Sequence, residues 1–185
     1  MNGKGKKVTL RAIENRDLGL LQQMLNDPEM ESKVVGWSFP ISEQMQSNWY
    51  GRACSDNKNI RLVIDTPENG SVGLVTLHDI DWKNRVASIG IKIASGQLRS
   101  RGIGTDSIMA IMRYAFDELG LHRLESTAFT DNLPSLNLFR KCGWQVEGTE
   151  RERAFKNGKF RDLNIISILE SEYHSLIEKT NYWQL

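Results

Sequence analysis

The segment Arg99-Ser100-Arg101-Gly102-Ile103-Gly104-Thr105 sets two glycines between two arginines and a hydroxyl, just ahead of a long apolar-striped run. Glycines let a backbone turn with its N–H groups pointing inward, and a helix that starts there adds partial positive charge. Such a turn can cradle a pyrophosphate, with Arg99 and Arg101 as charge-assisted donors and Thr105 as a hydroxyl donor. Two glycines at a helix start equally serve a plain strand-to-helix turn, so the segment alone does not decide. It is not a Walker loop, because the Gly-Lys-Ser/Thr ending is absent. It also lacks the third glycine of a dinucleotide fingerprint.

The elements that must position this loop follow from the pattern. Residues Val8 to Ile13 read as a strand. Asn15 or Asp17 caps a helix carrying Leu18, Leu21 and Leu25, ended by Asp27-Pro28, and Ser42 caps a second. Strands Ile60 to Asp65, Ser71 to Ile80 and Arg85 to Ala94 form an antiparallel meander with turns at Glu68-Asn69-Gly70 and Asp81 to Asn84. The loop Ser95 to Gly102 opens a helix with Ile108, Ile111, Met112, Ala115, Phe116 and Leu119 on one face, and Gly120 stands at its end. Strand Arg123 to Thr130, a short helix starting at Asn132 and ending at Gly143, and strands Trp144 to Glu150 and Lys159 to Leu169 close the domain. Glu170 to Leu185 reads as a short helix with a frayed end. This order predicts one α/β (α+β) domain over residues 1–185, with a core over about 8–169 and a C-terminal helical tail over 170–185.

Composition sets the class. The 185 residues are 39% hydrophobic and 25% charged, which fits a folded chain with a proper core. The 24 basic and 23 acidic residues leave a formal charge of +1, so a dedicated nucleic-acid binder, which needs a basic excess, is not expected. The two cysteines, Cys54 and Cys142, are too few for a zinc site and read as small buried apolar residues. No metal is expected. The absence of an apolar leader or a membrane-length run makes a cytoplasmic domain, off the membrane, the default. A homodimer is compatible with such a chain.

Three motifs in register resemble the Gcn5-related N-acetyltransferase (GNAT) family. Arg99-x-x-Gly102-x-Gly104 is similar to its acyl-CoA loop. Asn132-x-x-Ser135-x-x-x-Phe139-x-Lys141-x-Gly143-Trp144 resembles its later Asn-x-x-Ser segment. Glu147-Gly148, Arg151, Asn157-Gly158 and Asp162 resemble the ending of the branch that holds ribosomal-protein N-terminal acetylases and spermidine acetyltransferases. The resemblance implies a mixed, largely antiparallel, splayed sheet flanked by helices. It implies acetyl-CoA as acyl donor, its pantetheine along Ile91, Lys92 and Ile93. Its pyrophosphate would rest on the amides of Arg99, Ser100, Arg101, Gly102, Ile103 and Gly104, with Thr105 beside it. Asn132 would meet the pantetheine arm, and Arg140 with Lys141 would flank the nucleotide, unless they form a solvated helix face. The reaction implied is attack of a neutral amine on the thioester carbonyl, with the Ile91 amide as donor to the oxyanion.

Departures from the family bear on mechanism. Phe139 stands where many members have an acidic Tyr, and Ser88 where many have a Glu, so acid and base must come from elsewhere. His78 and Glu152 are the candidate bases, each with a structural alternative, and Ser135 or a water is the fallback acid. Glu31, Trp37 and Asp79 are candidates to bind the acceptor. Phe39, Trp49 and Tyr50 join Trp37 as an aromatic wall or as core, and Asp27 and Glu29 add negative charge for a cationic amine. His122 and His174 read as structural and surface residues. The acceptor expected is a protein N-terminus or a polyamine. The alternatives are an amino sugar, an antibiotic, or no acceptor at all in a regulatory module that only binds acyl-CoA.

Overall fold

The computed structural model describes residues 3–36, 39–53, 56, 58–94, 98 and 101–184. Its elements are β1 (Thr9–Ala12), a 3-10 turn (Asn15–Asp17), α1 (Leu18–Leu25), α2 (Pro28–Glu31), α3 (Glu43–Ala53), β2 (Ile60–Thr66), β3 (Gly70–Asp81) and β4 (Val86–Ile93). Then follow α4 (Ile103–Arg113), β5 (Arg123–Phe129), α5 (Leu133–Lys141), β6 (Gln145–Lys156), β7 (Lys159–Leu169) and α6 (Glu170–Thr180). The strands form a seven-stranded sheet in the order β1-β2-β3-β4-β5-β7-β6. Every pairing is antiparallel except β4 with β5. The mixed, largely antiparallel sheet flanked by helices is therefore present.

Alternation along the strands sorts side chains onto two faces. Leu62 and Ile64 of β2, Val75 and Leu77 of β3, Ala87 and Ile89 of β4, Leu124 of β5 and Ile166 of β7 pack into one core with Ile108, Ile111 and Met112 of α4. Val63 is buried on the other face, as are Leu21 and Met24 of α1, which lies against β3. Residues between these core positions, such as Thr76, Ser88, Gly90, Lys92 and Glu125, therefore face away from α4.

Four local expectations are corrected. Asp27-Pro28 does not simply end a helix: Pro28 sits at the first position of α2, and the Asp27 carboxylate accepts the Glu29 amide at 2.9 Å. The α4 helix gives way to a π turn over Tyr114–Glu118 before Gly120, whose φ of 64° closes it. Strand β6 runs on to Lys156, past the expected end at Glu150, through an irregularity between Glu150 and Ala154. The described part of the tail packs through Trp183 rather than fraying after α6. Beyond α6, the Tyr182 hydroxyl donates to Asp106 at 2.8 Å and the Trp183 indole N–H meets the Tyr173 hydroxyl at 3.0 Å.

Asp106 explains how both chain ends come to one place. It lies in the first turn of α4, 2% exposed, and its carboxylate accepts the amides of Lys6, Lys7 and Val8 at 2.9, 2.6 and 3.0 Å as well as Tyr182. A buried carboxylate is tolerable only with such satisfaction, and the helix N-terminus helps hold its charge. A second buried acid, Asp17, takes two bonds from the Arg11 guanidinium at 2.8 and 2.9 Å and one from the Ser71 hydroxyl at 2.7 Å. These bonds hold its pKa down at about 2.

Candidate active site

Strands β4 and β5 pair over only three steps, Val86 to Ser88 against Arg123 to Glu125. Beyond Ser88 they part, and β4 runs on to Ile93 without a neighbour on that side. The Ser126 hydroxyl donates to the Ile89 carbonyl at 2.8 Å, so the polar groups of Ile89 face β5. Backbone direction alternates along an antiparallel strand. The N–H and C=O of Ile91 and Ile93 therefore face the same opening, while Gly90 and Lys92 bond toward β3. The Ala94 amide, bonded to Val72 of β3 at 2.8 Å, keeps that alternation. An unpaired strand edge inside a fold is a template for an extended chain that carries amides.

The mouth of this opening holds the N-terminus of α4. Gly102 caps it at φ 82°, a left-handed conformation that a side chain resists. The Asp106 amide donates to the Gly102 carbonyl at 3.0 Å. The amides of Ile103, Gly104 and Thr105 precede it and have no intrahelical acceptor. Gly104 has a packing task as well: a Cβ there would lie 3.3 Å from Leu138 of α5 and 3.4 Å from Ile93. The glycine thus lets α4, α5 and the β4 edge converge.

Together these elements surround a cleft of ≈ 1300 Å³. Its roof is the segment after α2, clamped from two sides. The Glu31 carboxylate pairs at 2.5 Å with the Lys156 ammonium, whose side chain is 3% exposed. Arg161 donates to the Ser32 carbonyl at 3.2 Å, pairs with Asp131 and lies 3.7 Å over the Phe129 ring. Asn132 caps α5 through the Ser135 amide at 3.3 Å and donates to the Lys33 carbonyl at 3.3 Å, which ties roof to helix.

The expected site residues distribute as follows. The β4 edge residues Ile91, Lys92 and Ile93, and Gly102, Gly104 and Thr105 of the loop, line the cleft. So do Asn132, Ser135 and His78. Ile103 turns its side chain into the core, leaving its amide to the mouth. Arg101 is exposed, and its carbonyl takes the Lys7 ammonium at 2.8 Å. Arg140 is exposed on α5, outside the lining. Glu152 lies outside it too, exposed at φ 52° in the β6 irregularity. Glu31 serves the clamp. Asp79, 84% exposed at φ 53°, holds the His78 Nδ1 at 2.9 Å. Trp37, Arg99, Ser100 and Cys54 lie outside the described residues. Of the aromatic group, Phe39 is exposed, Trp49 lies under the Arg61 guanidinium at 5.8 Å, and the Tyr50 hydroxyl donates to Ile13. His122 and His174 sit beside Glu170, away from the cleft. Cys142 is fully buried, and burial pushes its thiol up to about 12, as suits a packing residue.

Sequence reasoning missed one acid of the cleft, Glu125, and in the run Glu150 to Glu152 it is Glu150, not Glu152, that lines the cleft. His78, Ser88 and Glu125 stand in register in one row across β3, β4 and β5, at about 4.8 Å per strand step. The row marks the level at which β4 and β5 part. The sequence offered one partial signal, Glu125 beside the apolar Leu124 in a strand, but the central place of that strand comes only with the sheet order. Phe139, 3% exposed, packs edge-on against Trp144 at 4.8 Å and borders the cleft. Among the described residues no cluster of three or more metal-ligating side chains forms, and no helix is long and apolar enough to cross a membrane.

Comparison with known proteins agrees with this geometry. Residues 7–145 match the Acetyltransferase (GNAT) domain. The crystal structure of spermidine N-acetyltransferase from Vibrio cholerae in complex with CoA and spermine superposes with a TM-score of 0.85 at 27% identity, covering 91% of this chain and 98% of that one. The putative ribosomal N-acetyltransferase YdaF of Bacillus subtilis (strain 168) is 35% identical over 90% of this chain and 93% of its own. The L-amino acid N-acetyltransferase AaaT of Escherichia coli (strain K12) is 27% identical over 84% and 94%.

Proposed function

The chain belongs to the GNAT acetyltransferase family, and from that premise we propose that its β4–β5 opening binds acetyl-CoA and passes the acetyl group to a primary amine entering under the α2 roof. The observation that carries this reading is the pair of unpartnered backbone positions, Ile91 and Ile93, facing the opening beside a helix N-terminus capped by Gly102. The first fits the amides of a pantetheine arm and the second fits a pyrophosphate. The solved relative with CoA supports it.

When bound, the donor supplies an activated acetyl thioester. The chain's own residues do the rest. A primary amine is mostly protonated at pH 7 and must lose a proton to attack. His78 is the acceptor of that proton: with Nδ1 engaged by Asp79 at 2.9 Å, the imidazole keeps Nε2 as its basic nitrogen. The Ile91 N–H meets the negative charge that develops on the thioester oxygen. His78 passes that first proton to solvent before attack; as the new N–C bond forms and the C–S bond breaks it takes the nitrogen's second proton, and CoA departs as the thiol on a proton relayed from solvent. Ser135, on the cleft wall in the first turn of α5, is the hydroxyl placed to protonate it.

The acids expected to draw a cationic acceptor, Asp27, Glu29, Glu31, Asp79 and Glu152, do not line the cleft. The acids that do line it are Glu125 and Glu150, each with an arginine beside it. A thiol-release assay with acetyl-CoA and a panel of amines tests the reading. Amine-dependent release that falls at least tenfold in His78→Gln supports it. Binding of CoA without release for any amine would instead establish an acyl-CoA-binding module.

A further inference from the structure

The cleft's charges are unevenly answered. Glu125 has the Arg123 guanidinium at 3.3 Å and Glu150 has Arg153 at 3.6 Å. Arg61 has Asp56 at 3.0 Å and Lys33 has Glu29 at 2.5 Å. Lys92 differs. It lies on the sheet face turned away from α4, in register with Leu74 of β3, and it lines the cleft. Among the described residues no carboxylate or hydrogen-bond acceptor reaches it. Burial alone acts on its ammonium and draws its pKa below the usual lysine value. A half-buried charge without a partner carries part of the cost of leaving water, and an anion that completes the pair offsets it.

Its position is informative as well. Lys92 lies two residues beyond Gly90 on one face, about 7 Å along the strand. Between them, on the open edge, is the Ile91 amide at which the thioester oxygen is received. A molecule whose amine attacks there and whose carboxylate lies a few ångströms away reaches Lys92 without crossing the cleft. A polyamine would instead bring a second cation toward Lys92, and like charges repel.

We infer that the acceptor is an amine that also carries a carboxylate, of the α-amino acid type, and that Lys92 is the residue that selects it by pairing with that carboxylate. The inference rests on the acetyl-transfer reading above. In the transfer, the amine nitrogen forms the amide bond, the thioester C–S bond breaks and CoA leaves as the thiol, while the carboxylate stays unchanged on Lys92.

The test uses the full chain with acetyl-CoA and measures thiol release. Each L-α-amino acid is compared with its own α-carboxamide, which keeps the amine and loses the charge, and spermidine is run beside them. At least one amino acid is expected to exceed its carboxamide by about 10- to 100-fold in kcat/KM, a range set by a charge-assisted pair. Lys92→Met should shrink that ratio to within about threefold, mainly through a rise in KM for the acid. Equal turnover of acid and amide, or turnover of spermidine alone, would overturn the inference while leaving acetyl transfer intact. A preference for the acid that survives in folded Lys92→Met would deny Lys92 its role. Release with none of these amines, from protein that binds CoA, would remove the acetyl-transfer reading and this inference together.

Discussion

A glutamate at position 104 separates what the α4 N-terminus does for the fold from what it does for the ligand. In Gly104→Glu the new Cβ would meet Leu138 and Ile93 side-chain ends at 3.3 and 3.4 Å. Those are flexible groups that need to yield a few tenths of an ångström. An acid in the first turn of a helix stabilises it by about 0.3–1 kcal/mol, and leaving glycine adds a similar gain. These gains, up to about 2 kcal/mol together, oppose the cost of the close contacts, so the fold should be kept. Against a pyrophosphate charge about 5 Å away the same carboxylate is repulsive, by about 0.8 kcal/mol at water-like screening and about 3 kcal/mol at an effective dielectric constant of 20. The affinity for CoA should fall between about fourfold and a few hundredfold. Gly104→Ala, which adds the methyl without the charge, should hold within about threefold. Isothermal calorimetry with CoA, alongside thermal unfolding, reads both quantities. A folded Gly104→Glu protein that binds CoA with unchanged affinity would refute the assignment of these amides to an anion.

Gly102→Ala should lower stability by about 1–2 kcal/mol, since a Cβ is placed in the left-handed region at φ 82°; an unchanged thermal midpoint would deny that constraint. Asp17 has its pKa drawn down to about 2 by Arg11, so its contribution of about 2 kcal/mol is complete above its ordinary value near 4. That contribution should vanish as pH falls from about 4 to about 2, and Asp17→Asn, already weakened at pH 7, should lack this part of the acid unfolding profile. Phe139→Tyr places a hydroxyl where the ring borders the cleft, and should leave kcat within about tenfold if Ser135 already protonates the thiolate. A rise near 100-fold in a thiol-release assay would show that the proton donor is missing.

The site was legible where its parts are local. Gly102-x-Gly104 ahead of an apolar stripe, Asn132 with Pro134 at a helix start, and Gly143 at its end each need only a few neighbouring residues to take shape. The splay itself is a matter of register: nothing within Arg85 to Ala94 tells that pairing with β5 stops at Ser88. Glu125 escaped notice, and Glu150 could not be told from Glu152, because strands far apart in the chain decide which acid meets the cleft. The side chain of Lys92 was equally hidden, since its isolation is a property of what surrounds it. The tail looked frayed because Tyr182 and Trp183 find their partners, Asp106 and Tyr173, only after folding. In the other direction, Glu152 and Glu31 carry the right chemistry in sequence. One stands on a distorted strand outside the cleft and the other is occupied by Lys156.

The central claim is that the open edge of β4 receives the acyl donor as an added strand. Residue-resolved amide hydrogen exchange by NMR, with and without saturating CoA, tests it most directly. The Ile91 and Ile93 amides, which face the opening, should slow by at least tenfold on binding, together with Ile103 to Thr105 at the α4 N-terminus. Gly90 and Lys92, already bonded to β3, should change little. Exchange at Ile91 and Ile93 that is unchanged while CoA is bound would place the ligand elsewhere and contradict the account.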